Sequence, residues 1–141
     1  MSRKRKKKKK SRKVSDKDPL KTKIINALLR KFPKIRAKVK SIKNQDKKIY
    51  YIRVWIITES QPIKSLKNSD KRGFRKYHLD HICPISWCYY NDIPPEIAGD
   101  ITNLQFLHWR KNIDKGDSIN EVDIQIIMER VGRFSGTSDY M

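Results

Sequence analysis

The start of the chain is the feature that most constrains its fold. Ten of residues 1–13 are Lys or Arg and none is acidic. Such a segment repels itself and has no apolar surface to bury, so we predict a disordered polybasic arm over residues 1–16. The folded part must therefore come from the rest of a 141-residue chain, which has room for one small domain besides this arm.

Positive charge is also concentrated in the segment that follows the arm. Residues 17–53 carry 13 basic and 2 acidic side chains, whereas residues 54–141 carry 11 and 12. We therefore expect a polyanion as partner, and we expect the first third of the chain to contact phosphates without reading sequence. A nuclear-import signal is the alternative role for the arm.

Cysteine content and hydropathy narrow the class of protein further. Two cysteines, Cys83 and Cys88, are too few for a disulfide-stapled secreted scaffold, and no apolar run approaches a membrane span. We expect an intracellular protein with no membrane partner, cytoplasmic in a bacterium or phage and nuclear in a eukaryotic host. The pattern does not define an oligomeric state.

Residues 17–57 are predicted to form a basic helix-and-strand region that binds nucleic acid. A helix should begin at Asp18-Pro19, because apolar residues then recur at helical spacing. They are Leu20, Ile24, Leu28 and Phe32. Residues 35–43 fit either a helix face or an alternating strand, and we favour the strand. Residues 44–46 are typical of a turn, and the β-branched and aromatic run 49–57 predicts a strand.

Residues 58–134 are predicted to form a compact core with a C-terminal helix. A polar loop or short helix over 58–76 is followed by a strand near His78, a long loop and a second strand over 103–108. A short helix over 109–115 should end at Gly116. Ser118 could cap a last helix that ends at Gly132, and residues 135–141 should fray.

An acidic and an imidazole side chain adjoin in the first strand of this core. Asp80 directly precedes His81, and adjacent residues of a strand point to opposite faces. For the two side chains to share a site, the strand must end or twist there, which Pro84 makes reasonable. An imidazole titrates near neutral pH and can accept a proton from water, and carboxylate and amide oxygens suit a hard cation.

Three motifs in order resemble the HNH (ββα-metal) endonucleases, including phage homing enzymes. They are Asp80-His81-Ile82-x-Pro84, Asn103-Leu104-Gln105 and Asn112-x-x-Lys115-Gly116, with nine residues from Asn103 to Asn112. The resemblance covers roughly residues 77–117. It implies an α+β fold, with a ββα-metal core, an N-terminal helix plus β-strand extension and a disordered basic arm.

The resemblance also implies an activity and a set of site residues. The expected activity is metal-dependent hydrolysis of phosphodiester bonds in DNA, nicking one strand per site, with duplex DNA favoured as the substrate and RNA left open. His81 would be the general base, and Asn103 would serve catalysis by orienting it. Asp80 and Asn112 would hold Mg²⁺ or Mn²⁺.

Other residues around these motifs are candidates for substrate contact. Six basic residues are predicted to contact nucleic acid: Arg72, Arg75, Lys76, Arg110, Lys111 and Lys115. His78 and His108 are possible substrate contacts, with a structural role as the alternative. Four aromatic residues are expected to pack rather than to stack on bases: Trp87, Tyr89, Tyr90 and Trp109.

Two alternatives remain beside the nuclease hypothesis. A structural zinc site could draw on His78, Cys83, Cys88 and His108, but the two cysteines are loosely spaced, so structural zinc is not expected. A non-catalytic basic nucleic-acid-binding protein of ribosomal or packaging type would have a similar composition. It would have no need for Asp80, His81 and Asn112 together, so these three residues discriminate between the two hypotheses.

Overall fold

The computed structural model describes residues 17–139, with side chains described up to residue 134. The predicted polybasic arm, residues 1–16, lies outside the described residues, as do residues 140–141 of the predicted frayed tail. The described chain is α+β, as predicted, with several helices and one two-stranded antiparallel sheet. None of the helices within 17–139 is long and apolar enough to cross a membrane. The chain divides into two compact units between Ile52 and Arg53.

The first helix, α1 (Pro19–Lys31), begins as the sequence predicts. The Asp18 carboxylate caps it by accepting a hydrogen bond from the Leu20 backbone N–H at 2.9 Å. The predicted apolar face is wrong, because Ile25 and Leu29 are buried while Leu20 is 64% exposed. The sequence carries two neighbouring apolar stripes, one residue apart, and helical periodicity alone does not choose between them.

The strand favoured for residues 35–43 is also wrong. A 3-10 turn (Pro33–Ile35) leads into the short helix α2 (Arg36–Val39). Ile35 and Val39 are both buried, which is the i, i+4 relation of a helix face. The helical reading of this ambiguous segment is therefore the correct one.

The largest correction concerns residues 44–57, where a turn and a strand were predicted. The structure has one helix, α3 (Gln45–Ser60), of 16 residues. The predicted turn is its start, because Asn44 Oδ1 accepts a hydrogen bond from the Lys47 N–H at 2.9 Å. A continuous run of β-branched and aromatic residues shows neither the helical nor the strand period. Burial of its side chains, rather than their intrinsic propensity, then determines which structure forms.

The second unit contains the strand, loop, strand, helix order predicted from the sequence. Two 3-10 turns (Ile63–Ser65 and Ser69–Lys71) precede β1 (Tyr77–His81), which pairs antiparallel with β2 (Leu104–His108). The predicted long loop holds α4 (Ile85–Tyr90), α5 (Pro95–Ala98) and a 3-10 turn (Ile101–Asn103). Helix α6 (Trp109–Lys115) follows β2 directly and ends at Gly116, whose φ is 51°.

The last helix, α7 (Glu121–Asp139), differs from its prediction at both ends. Asn120 rather than Ser118 caps it, with its Oδ1 accepting a hydrogen bond from the Asp123 N–H at 2.9 Å. Gly132 lies inside the helix and does not stop it. The backbone stays helical through residues 135–139, most of the segment predicted to fray.

Gly99, just after α5, lies against α3 more closely than any side chain would allow. A Cβ atom there would lie 2.7 Å from the Val54 carbonyl oxygen and 3.0 Å from two side-chain carbons of Ile57. We expect Gly99→Ala to lower the free energy of unfolding by about 1–3 kcal/mol, because backbone must move to admit the methyl group. Urea denaturation measures this.

A matched control comes from a glycine with open space around it. A Cβ atom at Gly132 would meet nothing within 4 Å. Gly132→Ala should raise stability by about 0.5–1 kcal/mol, because alanine is the better helix former. Equal stability of the two variants would show that Gly99 does not need the space.

Candidate active site

One face of β1 packs against α6, and the two elements together carry four of the predicted site residues. Asp80 is the centre of this face: its Oδ2 accepts a hydrogen bond from Gln105 Nε2 at 2.8 Å, and its Oδ1 lies 3.3 Å from Lys115 Nζ. The Asp80 side chain is only 10% exposed. Lys115 Nζ also donates to the His81 backbone carbonyl at 3.1 Å, so α6 is fastened to the end of β1.

His78 and Asn112 complete this face. The Asn112 side-chain nitrogen lies 3.4 Å from His78 Nδ1, and both residues are half-buried. His78 and Asp80 alternate along β1 and so share a face, as Asn112 and Lys115 do on α6 at i, i+3. The structure therefore brings together His78, Asp80, Asn112 and Lys115, which we call the β1–α6 face. A cavity of about 590 Å³ borders Gln105 and Lys115.

Gln105 also contacts the β1–α6 face, although no role was predicted for it from the sequence. It belonged to the Asn103-Leu104-Gln105 motif, but its contact follows from the strand register, which sets Asp80 opposite Gln105. Directly opposed residues on one face of a sheet have adjacent side chains. Knowledge of the pairing register of β1 and β2 would therefore have predicted the contact between Asp80 and Gln105.

His81 lies on the other face of β1, as strand alternation requires. Its ring is 6% exposed, and its Nε2 lies 2.9 Å from the Thr58 hydroxyl of α3. The ring of Trp55, also on α3, meets it edge to face with 4.9 Å between centroids. β1 ends at His81, and the side chains of Asp80 and His81 contact different elements. The two residues are nevertheless adjacent in the chain, with His81 as the last residue of β1.

The contacts of Thr58 favour one tautomer of His81. The Thr58 hydroxyl is fully buried and donates its one proton to the Val54 carbonyl oxygen at 2.8 Å. The bond to His81 then needs an N–H on Nε2, which leaves the lone pair of the neutral ring on Nδ1. Sequence reasoning missed Thr58, because it placed the preceding residues in a strand and Thr58 itself in a loop.

Thr58→Val removes the acceptor that holds this ring while keeping the shape of the side chain. We expect the free energy of unfolding to fall by about 1–3 kcal/mol, because a buried N–H loses its partner. Thr58→Ser keeps the hydroxyl and should retain most of that stability. Parallel urea denaturation of both variants measures the difference, and equal losses would show that the hydroxyl is not what matters.

Asn103 fastens the segment that follows β1. The residue is 2% exposed, and its Oδ1 accepts a hydrogen bond from the Cys83 N–H at 2.9 Å. Its Nδ2 donates to the carbonyl oxygens of Cys83 and Ala98 at 3.1 and 2.9 Å. These bonds tie the ends of the long loop together immediately beyond His81, an arrangement compatible with the orienting role predicted for Asn103.

The predicted phosphate contacts fall into four groups. Lys76 and Lys111 are exposed, and Arg75 and Arg110 lie over the Trp109 ring. Arg72 is 3.7 Å from the Glu59 carboxylate and also lies over the Phe106 ring. Lys115 differs from its prediction, because it faces inward, 17% exposed, and engages Asp80.

The remaining histidine, His108, has a structural role in the fold. Its Nδ1 accepts a hydrogen bond from the Arg110 N–H at 3.3 Å, which caps the start of α6. Its ring also meets Tyr77 edge to face, with centroids 5.4 Å apart. These contacts are the ones expected of the structural alternative.

The two cysteines are buried thiols. Burial raises the pKa of Cys83 to about 11 and that of Cys88 to about 12, and the nearby Asp123 adds to the rise at Cys83. Their Sγ atoms are 3.6 Å from the backbone carbonyls of Asp123 and Cys83, respectively.

Within the described part of the chain, no three His, Cys, Asp or Glu side chains form a group that could hold a metal. A hard cation nevertheless needs few protein oxygens, because water and phosphate complete its shell. Asp80 offers a carboxylate and Asn112 an amide oxygen on the β1–α6 face, so their donor chemistry fits Mg²⁺ or Mn²⁺. Binding there would require the Lys115 ammonium to leave or share Asp80 Oδ1.

No protein-family model, curated protein or solved structure matches this chain.

Proposed function

We propose that this chain is a metal-dependent endonuclease of the HNH type that hydrolyses phosphodiester bonds in DNA. The observation that carries the proposal is the β1–α6 face, where a hairpin and the helix that follows it group Asp80, His78 and Asn112. Just across the same strand end, His81 is held by Thr58. A protein that only binds nucleic acid has no need for this grouping.

In this proposal His81 is the general base. Because its Nε2–H is held by the Thr58 hydroxyl, Nδ1 is the atom that would take the proton from the attacking water. Asn103 and Trp55 would keep the ring at a fixed angle, the former through the backbone beyond β1 and the latter by edge contact. A fixed base lowers the entropic part of the barrier.

Asp80 and Asn112 would hold the divalent cation, which when bound stabilises the extra negative charge of the transition state. Gln105 donates to one Asp80 oxygen and thereby orients the carboxylate. His78, beside Asn112, would fix the direction of the Asn112 amide. Lys115 compensates the Asp80 charge when no cation is bound, since an isolated carboxylate with so little exposure would be costly.

The basic first third would supply affinity in this proposal. Its excess of positive charge, 13 basic against 2 acidic side chains over residues 17–53, gives salt-sensitive phosphate binding without sequence reading. One catalytic face of this kind predicts cleavage of one strand per binding event. A double-strand break would then need two encounters or two copies.

A second candidate is the non-catalytic binding protein of ribosomal or packaging type. The ion pair between Asp80 and Lys115 favours it, because the carboxylate is already neutralised within the protein at 3.3 Å. In that case Lys115 and Asp80 would serve only to join α6 to β1.

A strand-resolved cleavage assay separates the two candidates. A duplex labelled with a different dye on each strand is incubated with the protein and Mg²⁺ and run on a denaturing gel. The nuclease proposal predicts shortened products from one strand of each molecule in the first turnovers. Tight binding without shortened products, with Mg²⁺ or Mn²⁺, would support the binding protein instead.

A further inference from the structure

Beside the β1–α6 face, four residues form a surface of cations and aromatic rings. The Arg75 guanidinium lies 5.5 Å from the Phe74 ring centre and 5.9 Å from the Trp109 ring centre. The Arg110 guanidinium lies 5.0 Å from the same Trp109 ring. We call Phe74, Arg75, Trp109 and Arg110 the arginine–aromatic edge.

Three properties of this edge are unfavourable in the isolated protein. Phe74 is 85% exposed, the most exposed large hydrophobic residue of those described. Arg75 has φ 57°, a conformation that non-glycine residues adopt at some cost. Two guanidinium groups lie near one indole ring, and among residues 17–139 neither forms an ion pair with a carboxylate. A partner that is both anionic and aromatic would cover the exposed ring and pair with the two guanidinium groups.

The edge is placed one helical turn from the proposed cation ligand. Trp109 and Asn112 are at i, i+3 on α6 and therefore lie on the same side of the helix. The Trp109 backbone N–H donates to the Lys76 carbonyl oxygen at 2.8 Å, which ties the start of α6 to the segment that carries Phe74 and Arg75. A nucleic acid strand that reaches Asn112 would thus pass this edge.

We propose that the arginine–aromatic edge binds an unpaired nucleotide of a DNA strand. The base stacks on the exposed Phe74 ring, and Arg75 and Arg110 contact the adjoining phosphate. In a continuous duplex the base faces are already stacked on one another, so the two cations alone would suffice and an exposed phenyl ring would gain nothing. The preferred substrate is therefore DNA with a gap, flap or bulge. This inference rests on the proposed function only for the position of the cut, because the binding preference does not require cleavage.

The test measures binding without cleavage. Fluorescence anisotropy in EDTA compares the full-length protein on a labelled duplex and on the same duplex with a short central single-stranded gap. The variant is Phe74→Leu, which keeps an apolar side chain but removes the aromatic face. The matched control is Tyr90→Leu, since Tyr90 is also exposed, at 68%, but lies on α4, which contributes no residue to the edge.

We expect the wild type to bind the gapped DNA more tightly than the duplex. Phe74→Leu should weaken binding of gapped DNA by about 5- to 100-fold, the range of one base stacked on an aromatic ring, and leave duplex binding unchanged. Tyr90→Leu should behave as the wild type. Unchanged binding of gapped DNA by Phe74→Leu, or an equal loss on both DNAs, overturns the inference.

The two proposals fail in different ways. If the gap preference depends on Phe74 but no DNA is cut with Mg²⁺ or Mn²⁺, the edge is supported and the nuclease proposal is wrong. If DNA is cut with equal efficiency whether gapped or continuous and Phe74→Leu changes nothing, the edge is wrong and the nuclease proposal stands.

Discussion

His81→Gln should lower the rate constant of metal-dependent DNA cleavage by about 100- to 10,000-fold, the usual contribution of a general base. Glutamine can still donate a hydrogen bond to the Thr58 hydroxyl, which now holds His81 Nε2 at 2.9 Å, but it has no nitrogen that accepts a proton near neutral pH. The DNA affinity of the variant should stay within about twofold of that of the wild type, since His81 is buried. Single-turnover cleavage and anisotropy titrations measure the two quantities.

His78→Ala is the matched histidine variant. His78 lies on the β1–α6 face beside Asn112 and is proposed only to orient that amide, so its loss should reduce cleavage by about 10- to 100-fold. A reversed order, with His78→Ala inactive and His81→Gln nearly normal, would move the base to His78. The geometry makes this comparison informative, because the two rings lie on opposite faces of β1.

Asp80→Asn should have the second large effect. It keeps the size of the side chain but removes the only carboxylate on the β1–α6 face, so the cation loses its anionic ligand. We expect cleavage to fall by roughly 100-fold or more at fixed Mg²⁺, and the Mg²⁺ concentration for half-maximal rate to rise. A Mg²⁺ titration of the cleavage rate measures both.

A readout that needs no activity accompanies this variant. A cation that binds only the folded protein raises the melting temperature with its concentration, so MgCl₂ should stabilise the wild type and not Asp80→Asn. Asp114→Asn is the matched control, because Asp114 is an exposed carboxylate on the same helix α6. Identical responses of Asp80→Asn and Asp114→Asn to Mg²⁺ would remove Asp80 from any cation site.

Local signals were sufficient to predict part of the fold. The start of α1 at Asp18, the end of α6 at Gly116 and the positions of β1 and β2 depend on caps, glycine and short alternating runs, all of which act within a few residues. The placement of Asp80 and Asn112 on neighbouring elements also follows, since α6 begins directly after β2 and β2 pairs with β1.

Other features depend on contacts between distant residues and could not be predicted. Residues 45–60 form a helix although their side chains favour a strand, because burial among other elements outweighs propensity. The side chains of Asp80 and His81 contact different elements on opposite faces of β1. The contact between the Thr58 hydroxyl and His81 follows only from the position of α3. Lys115 was predicted to face DNA, whereas the nearby Asp80 carboxylate draws it inward.

The most direct test of the central claim is conversion of supercoiled plasmid to open circle by the purified protein, with Mg²⁺, Mn²⁺ or EDTA and with His81→Ala in parallel. The nuclease proposal predicts nicking that needs the metal, stops in EDTA and is lost in His81→Ala while gel-shift affinity persists. No nicking by the wild type with either metal on duplex, branched or single-stranded DNA, with tight salt-sensitive binding intact, would contradict it and favour the basic binding protein.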